Sequence, residues 1–221
     1  MIVHLGGFLP NTDPLVGFRN PVPGREISIV GHARGMATIA NVQNGVNVDQ
    51  LVGTIEAVKG TPGLAKFKFR STSRWDGGAK ERTTIKSFFG AGQEDSSRKE
   101  AYVLEGDEPP VLLGTNAAPN AVEAVLHALS SCMTVSFIYP AAAHGIKVES
   151  LEYTMEGDVD LHGFLHLSDT IRPGFQNIRV KARVKADAPR AKIQELLEYA
   201  MKTSPVMDTL RNPVPVTVEL A

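Results

Sequence analysis

Sulfur chemistry is nearly missing from this chain: Cys132 is the one cysteine among 221 residues. A lone thiol permits nucleophilic or redox chemistry but excludes any disulfide within the chain, so a catalytic cycle through it needs an outside partner. It also argues against a disulfide scaffold, and a reducing cytoplasm is the expected setting. Net charge is nearly missing too. The 23 Lys and Arg against 24 Asp and Glu leave a formal charge of −1 and a pI near 6.6, giving no electrostatic reason to expect nucleic acid or an acidic membrane as a partner. No contiguous run approaches the roughly 18 apolar residues of a membrane span, so none is expected. The start Met1 to Pro10 lacks a basic stretch leading into a long apolar segment, so no secretory signal is expected. Glycines occur singly or in pairs, with neither a phosphate loop nor a dinucleotide fingerprint, and no cofactor is expected.

What is present reads as an ordinary globular protein, 43% hydrophobic and 21% charged, long enough for one large or two small domains. Residues 1–46 are rich in Gly, Pro and Asn and read as an irregular arm, with one domain over 47–221. Asn47 can cap a helix over Val48 to Lys59. From Lys66 the period changes to two, predicting a strand to Ser73, a turn at Trp75 to Gly78, a returning strand over Glu81 to Phe89 and a third near Ala101 to Leu104. Asn120 begins a central helix whose apolar positions Val122, Val125, Leu126, Leu129, Cys132, Met133 and Phe137 recur at three- and four-residue steps, ending near His144 and Gly145. Strands follow at Val148 to Val159 and Ile178 to Ala186. A helix runs to about Lys202, a short one starts at Ser204-Pro205, and a last strand covers Val214 to Leu220. Strands followed by helix occur twice, which predicts an α+β fold of two similar halves.

Free cysteines are among the most buried side chains, so Cys132 reads first as a small apolar residue of the core. For it to react, the thiolate must be favoured, and a position more than two turns into a helix gains little from the helix dipole. A neighbouring cation is required, and Arg70, Arg74 and Arg82 of the first hairpin are the candidates. Glu123 can orient such an arginine, although nine residues place it about 180° around the helix from Cys132. His127 lies about 140° from Cys132, a poor geometry for a Cys-His hydrolase pair. His144, His162 and His166 read as surface loop residues, and no metal site is expected.

Four stretches together are similar to the OsmC/Ohr family of thiol-dependent hydroperoxide reductases. They are Gly114-Thr-Asn-Ala-Ala-Pro-Asn-Ala-Val-Glu123 running into Leu126-His-Ala-Leu-Ser-Ser-Cys132, Ala142 to Tyr153, Gly157 to Phe164, and Ser204 to Pro215. The resemblance implies an intertwined homodimer with antiparallel sheets wrapped around paired central helices and active sites between subunits. It implies that Cys132 attacks an organic hydroperoxide, that Arg82 stabilises the developing anion, and that Glu123 holds Arg82. Ser204, Leu129 and Met133 are expected at the substrate pocket. Ser204 stands where two-cysteine members carry a resolving thiol, and a hydroxyl cannot condense with a sulfenic acid, so an external thiol would have to reduce Cys132. The alternative is a non-catalytic protein of the same fold that holds a small apolar ligand between subunits, with Cys132 only packing.

Overall fold

The computed structural model describes residues 40–220, so all but the end of the expected N-terminal arm lies outside the described residues. The described part of that arm enters a tight hairpin, β1 (Val42–Gln43) and β2 (Val46–Asn47). Asn44 and Gly45, at φ 52° and 77°, form its turn, the Asn-Gly geometry that matches the twist of paired strands. Asn44 then ties the hairpin to the middle of the chain, donating from Nδ2 to the Ile146 carbonyl at 2.8 Å and accepting from Val148 N at 2.9 Å. Helix α1 (Val48–Gly60) follows, capped by Asn47, whose side chain accepts from Gln50 N as expected.

The first hairpin starts later than its alternation suggests. Strand β3 (Thr72–Trp75) turns through Gly77 and Gly78 into β4 (Glu81–Ile85), while Lys66 to Ser71 lies outside any strand, with a single bridge from Lys68 to Phe89. The returning segment breaks after Ile85 into a second small hairpin, β5 (Phe88–Gly90) and β6 (Gln93–Asp95). Strand β7 (Tyr102–Gly106) then pairs with β4, giving an antiparallel sheet in the order β3-β4-β7.

Helix α2 (Ala121–Ala143) opens on a reciprocal cap: Asn120 Oδ1 accepts from Glu123 N, and Glu123 Oε2 accepts from Asn120 N, both at 2.9 Å. It runs through Pro140 and stops at His144 and Gly145. At 23 residues it is long and apolar enough to cross a bilayer by length and composition, although only 17% of that window is buried within the chain. A search for contiguous apolar residues misses this because His, Ser and Thr interrupt the run, while Glu123 is its one acidic residue. Strands β8 (Val148–Asp158) and β9 (Asn177–Ala186) form a long antiparallel ribbon, interrupted by short helix α3 (Leu161–Phe164) in the connecting loop. Helices α4 (Arg190–Thr203) and α5 (Pro205–Arg211) follow.

The core is the stripe of α2 at four-residue steps. Phe137 and Ala141 meet Leu196 and Ala200 of α4, and Leu129 and Met133 meet Met207 of α5. The ribbon β8-β9 covers both clusters with alternating residues such as Leu151, Tyr153, Ile178, Val180 and Val184. Its other face carries ion pairs across the strands, Glu152 with Arg183 and Glu149 with Lys185 among them. The molecule is therefore a mixed α+β fold of small antiparallel sheets and helices around one apolar central helix.

Tyr153 is the flaw in that core: its hydroxyl is buried without a hydrogen-bond partner among the described residues, and burial pushes its pKa up to about 12. Tyr153→Phe is expected to leave stability unchanged or raise it by up to about 1 kcal/mol, read from thermal unfolding. A clear loss would mean that the hydroxyl has a bonding partner in solution.

One expected strand is absent. Residues 214–220 alternate as a strand should, yet they have no strand partner among the described residues, and Val216, Val218 and Leu220 are 78%, 92% and 103% exposed. A strand needs a neighbour to accept and donate its backbone hydrogen bonds, and the described residues offer none there.

Candidate functional site

The loop between β7 and α2 is built around Asp107, a buried carboxylate. Its Oδ2 accepts from Thr115 Oγ1 at 2.6 Å, Thr115 N at 3.0 Å and Ala117 N at 3.0 Å, while Oδ1 accepts from Glu108 N at 2.8 Å. These donors, Thr115 Oγ1 first, hold the Asp107 carboxyl well below the usual carboxylate range. Gly114 closes the loop: a Cβ there would fall onto the Glu108 carbonyl, so no other side chain fits. The loop delivers the chain to the α2 cap and thereby fixes Glu123.

A depressed carboxyl contributes stability that is present above its unfolded value, near 3.9, and lost as pH falls toward the folded one. Asp107→Asn is expected to lower the urea midpoint at about pH 7, because an amide cannot accept on both sides. The gap to the wild type should narrow at about pH 3. Other lowered carboxyls, such as Asp95 and Asp158, titrate in both proteins and cancel in the comparison. A gap unchanged with pH would show that Asp107 is not the linked group.

Across from the cap, β7 presents Val103, Leu104 and Glu105 to Glu123, Ala124 and His127, forming an open cleft of about 1010 Å³. Arg82 reaches this region through Glu105, its cross-strand neighbour, with Nη2 2.8 Å from Oε1. Both side chains are close to half exposed, so this pair positions more than it stabilises. Arg82 and Glu105 also line a smaller adjoining cleft with Asp107. The other hairpin arginines divide. Arg70 is engaged by Glu94 through two bonds of 2.9 and 2.8 Å, whereas Arg74, opposite Arg82 in the register, makes no ion pair among the described residues. Glu105 and Asp107 were not candidates from the sequence; alternation marks Glu105 as one face of a strand, but its pairing with Arg82 depends on a register that only the fold shows.

Cys132 is partly buried on α2 and lines neither of these clefts. Arg82, Glu123 and the sulfur are thus distributed over the single chain: Glu105, rather than Glu123, holds Arg82. Leu129 and Met133 line a separate cavity of about 610 Å³ between α2, β9, α4 and α5. Ser204 is 1% exposed and is not in its wall; its Oγ accepts from Met207 N at 3.2 Å as the N-cap of α5. Of the loop histidines, His162 Nδ1 lies 2.7 Å from Asp160 Oδ1, and His144 caps the end of α2.

Comparison with curated proteins finds no match. Among solved structures, the chain is similar to an OsmC-like protein from Mycoplasma pneumoniae, with 16% identity and a TM-score of 0.50 over 66% of this chain and 89% of that one. Weaker likenesses are to an organic hydroperoxide resistance protein OsmC from Legionella pneumophila (16% identity, 65% and 90% covered, TM-score 0.45) and an OsmC-like protein of unknown function from Vibrio cholerae (12%, 64% and 92%, 0.47). The likeness to the Mycoplasma pneumoniae protein bears on the fold. The model of the OsmC-like protein family matches residues 114–219, a span that holds the α2 cap, Cys132, the β8-β9 ribbon and Ser204. Over that span, just under half of its length, the chain is similar to the OsmC-like family.

Proposed function

We propose that this protein serves in peroxide resistance as a homodimeric, one-cysteine peroxidase that reduces organic hydroperoxides at the expense of an external thiol. The observation that carries the reading is Cys132 itself: the chain's sole sulfhydryl, on the helix matched to the OsmC-like family, and not fully buried within the chain. In the proposed step the Cys132 thiolate attacks the terminal peroxide oxygen. An S–O bond forms as the O–O bond breaks, the sulfur is oxidised to a sulfenic acid, and the alkoxide takes a proton to leave as an alcohol. A first external thiol condenses with the sulfenic acid, releasing water and leaving a mixed disulfide. A second displaces Cys132 and carries the disulfide away. Ser204 cannot substitute for either thiol, since its oxygen forms no disulfide and already caps α5. Arg82 is the proposed stabiliser of the departing anion, positioned by Glu105.

Two features favour a second copy of the chain as partner. A central helix apolar enough for a bilayer is only partly covered within the chain, and Tyr102, Val103 and Leu104 of β7 are 61%, 50% and 56% exposed. The strand-patterned tail from Val214 to Leu220 also lacks a strand neighbour among the described residues. In a dimer with the sheet of one protomer laid over the helix of the other, an arginine need not reach the sulfur of its own chain. Light scattering should give a mass about twice 23.8 kDa. Cumene hydroperoxide should be consumed in proportion to enzyme when a dithiol is supplied. A monomer that leaves hydroperoxide untouched would overturn the reading.

A further inference from the structure

We infer that the cavity between α2 and the β8-β9 ribbon is a binding site for a single-chain amphiphilic carboxylate, its tail among the apolar walls and its carboxylate at Arg172 and Arg211. The inference shares a cavity with the redox reading through Leu129 and Met133, and rests on it only in treating that cavity as a ligand site. The choice of an anionic head and the residues that take it go beyond that reading.

The cavity measures about 610 Å³, within the range of small-molecule sites, and its depth is hydrocarbon and thioether: Leu129, Met133, Ile178, Val180, Met201 and Met207. Methionines suit a flexible tail, because they are unbranched and adapt their shape to it. The charge on the lining is one-sided. No Asp or Glu lines the cavity, and its two charged residues are both arginines, in a chain whose acidic and basic residues otherwise balance. Arg70, Arg82, Arg179 and Arg183 all have carboxylate partners, whereas Arg172 and Arg211, like Arg74, Arg98 and Arg190 elsewhere, form no ion pair among the described residues. Two guanidiniums on one apolar cavity with no acid beside them match a carboxylate, which each can bind through parallel N–H donors.

Arg172 is also held in place by its loop. Gly163 of α3 packs so closely that a Cβ would lie 2.5 Å from the Arg172 carbonyl, and Gln176 Nε2 donates to that carbonyl at 2.8 Å. Gln176 and Asn177 add amide groups to the same lining. Arg211 comes from the last turn of α5, directly after Leu210, another cavity residue. Its position is one where the helix dipole favours a cation in any case, so Arg172 is the more telling of the two.

The test is titration of the full-length protein with dansyl-undecanoic acid, followed by fluorescence, beside its methyl ester and beside Arg172→Gln, Arg211→Gln and Met207→Trp variants. The acid should bind saturably and at least about tenfold more tightly than the ester, and each arginine variant should lose about tenfold, the low end for a hydrogen bond to a charged group. Met207→Trp should abolish binding by filling the cavity; Met201→Trp repeats that arm if the first variant does not fold. Cys132→Ser should bind as the wild type does, so loss of peroxide consumption with binding intact rejects only the redox reading. Acid and ester binding alike, arginine variants that bind unchanged, or no saturable binding would overturn the carboxylate site, whatever the outcome of the peroxide assay.

Discussion

Cys132→Ser is expected to abolish thiol-dependent hydroperoxide consumption, by at least about a hundredfold, while leaving the fold intact. The sulfur is the one atom in the chain that can cycle between thiol and sulfenic acid, and a serine hydroxyl neither ionises near neutrality nor accepts a peroxide oxygen. The substitution is nearly isosteric, and the site is only partly buried, so circular dichroism and the unfolding midpoint should change little. A variant that keeps the wild-type rate would place the reaction elsewhere or show that none belongs to this chain. Arg82→Gln should slow the same reaction without removing it, since a guanidinium assists the step and the sulfur performs it.

The second large effect is on stability. Phe137→Ala is expected to cost about 3 to 5 kcal/mol. Phe137 is 0% exposed and packs with Ala141, Leu196 and Ala200, with Ile138, Leu151, Val184 and Leu197 around them. Three elements meet on that ring, so removing it leaves a void that α2, α4 and the ribbon cannot all close. Against the 5 to 15 kcal/mol typical of a whole domain, the loss would leave the fold marginal. Phe137→Leu, which keeps most of the volume, should cost clearly less. Urea unfolding measures both; equal midpoints for Phe137→Ala and the wild type would mean that the core lies elsewhere.

How far the sequence carries varies by element. Helix α2 was legible from Asn120 to His144 because its signals are local: a capping residue, Glu123 three positions on, an apolar stripe, and Gly145 past the end. The β8-β9 ribbon was legible for the same reason. The tail from Val214 to Leu220 alternates equally well, but strand formation depends on a neighbour, and alternation carries no information about whether one is present. The break of the first hairpin at Lys86 and Ser87 was hidden because Phe88 and Phe89 look like more strand, whereas they turn back to pair with Asp95 and Glu94. At the site, Arg82 and Glu123 were singled out by residue type. Glu105 was not, because its partnership with Arg82 spans 23 positions and exists only in the β4-β7 register. Arg172 and Arg211 share a cavity only because the loop after α3 folds back on itself and α5 closes beside it. No spacing rule links them.

The sole thiol decides the matter most directly. One equivalent of cumene hydroperoxide added to the reduced protein, with dimedone present to trap a sulfenic acid, should leave a single adduct, located on Cys132 by peptide mass spectrometry. Pre-incubation with excess thiol should prevent it. A cysteine that stays reduced and unlabelled while the hydroperoxide persists would contradict the peroxidase assignment outright.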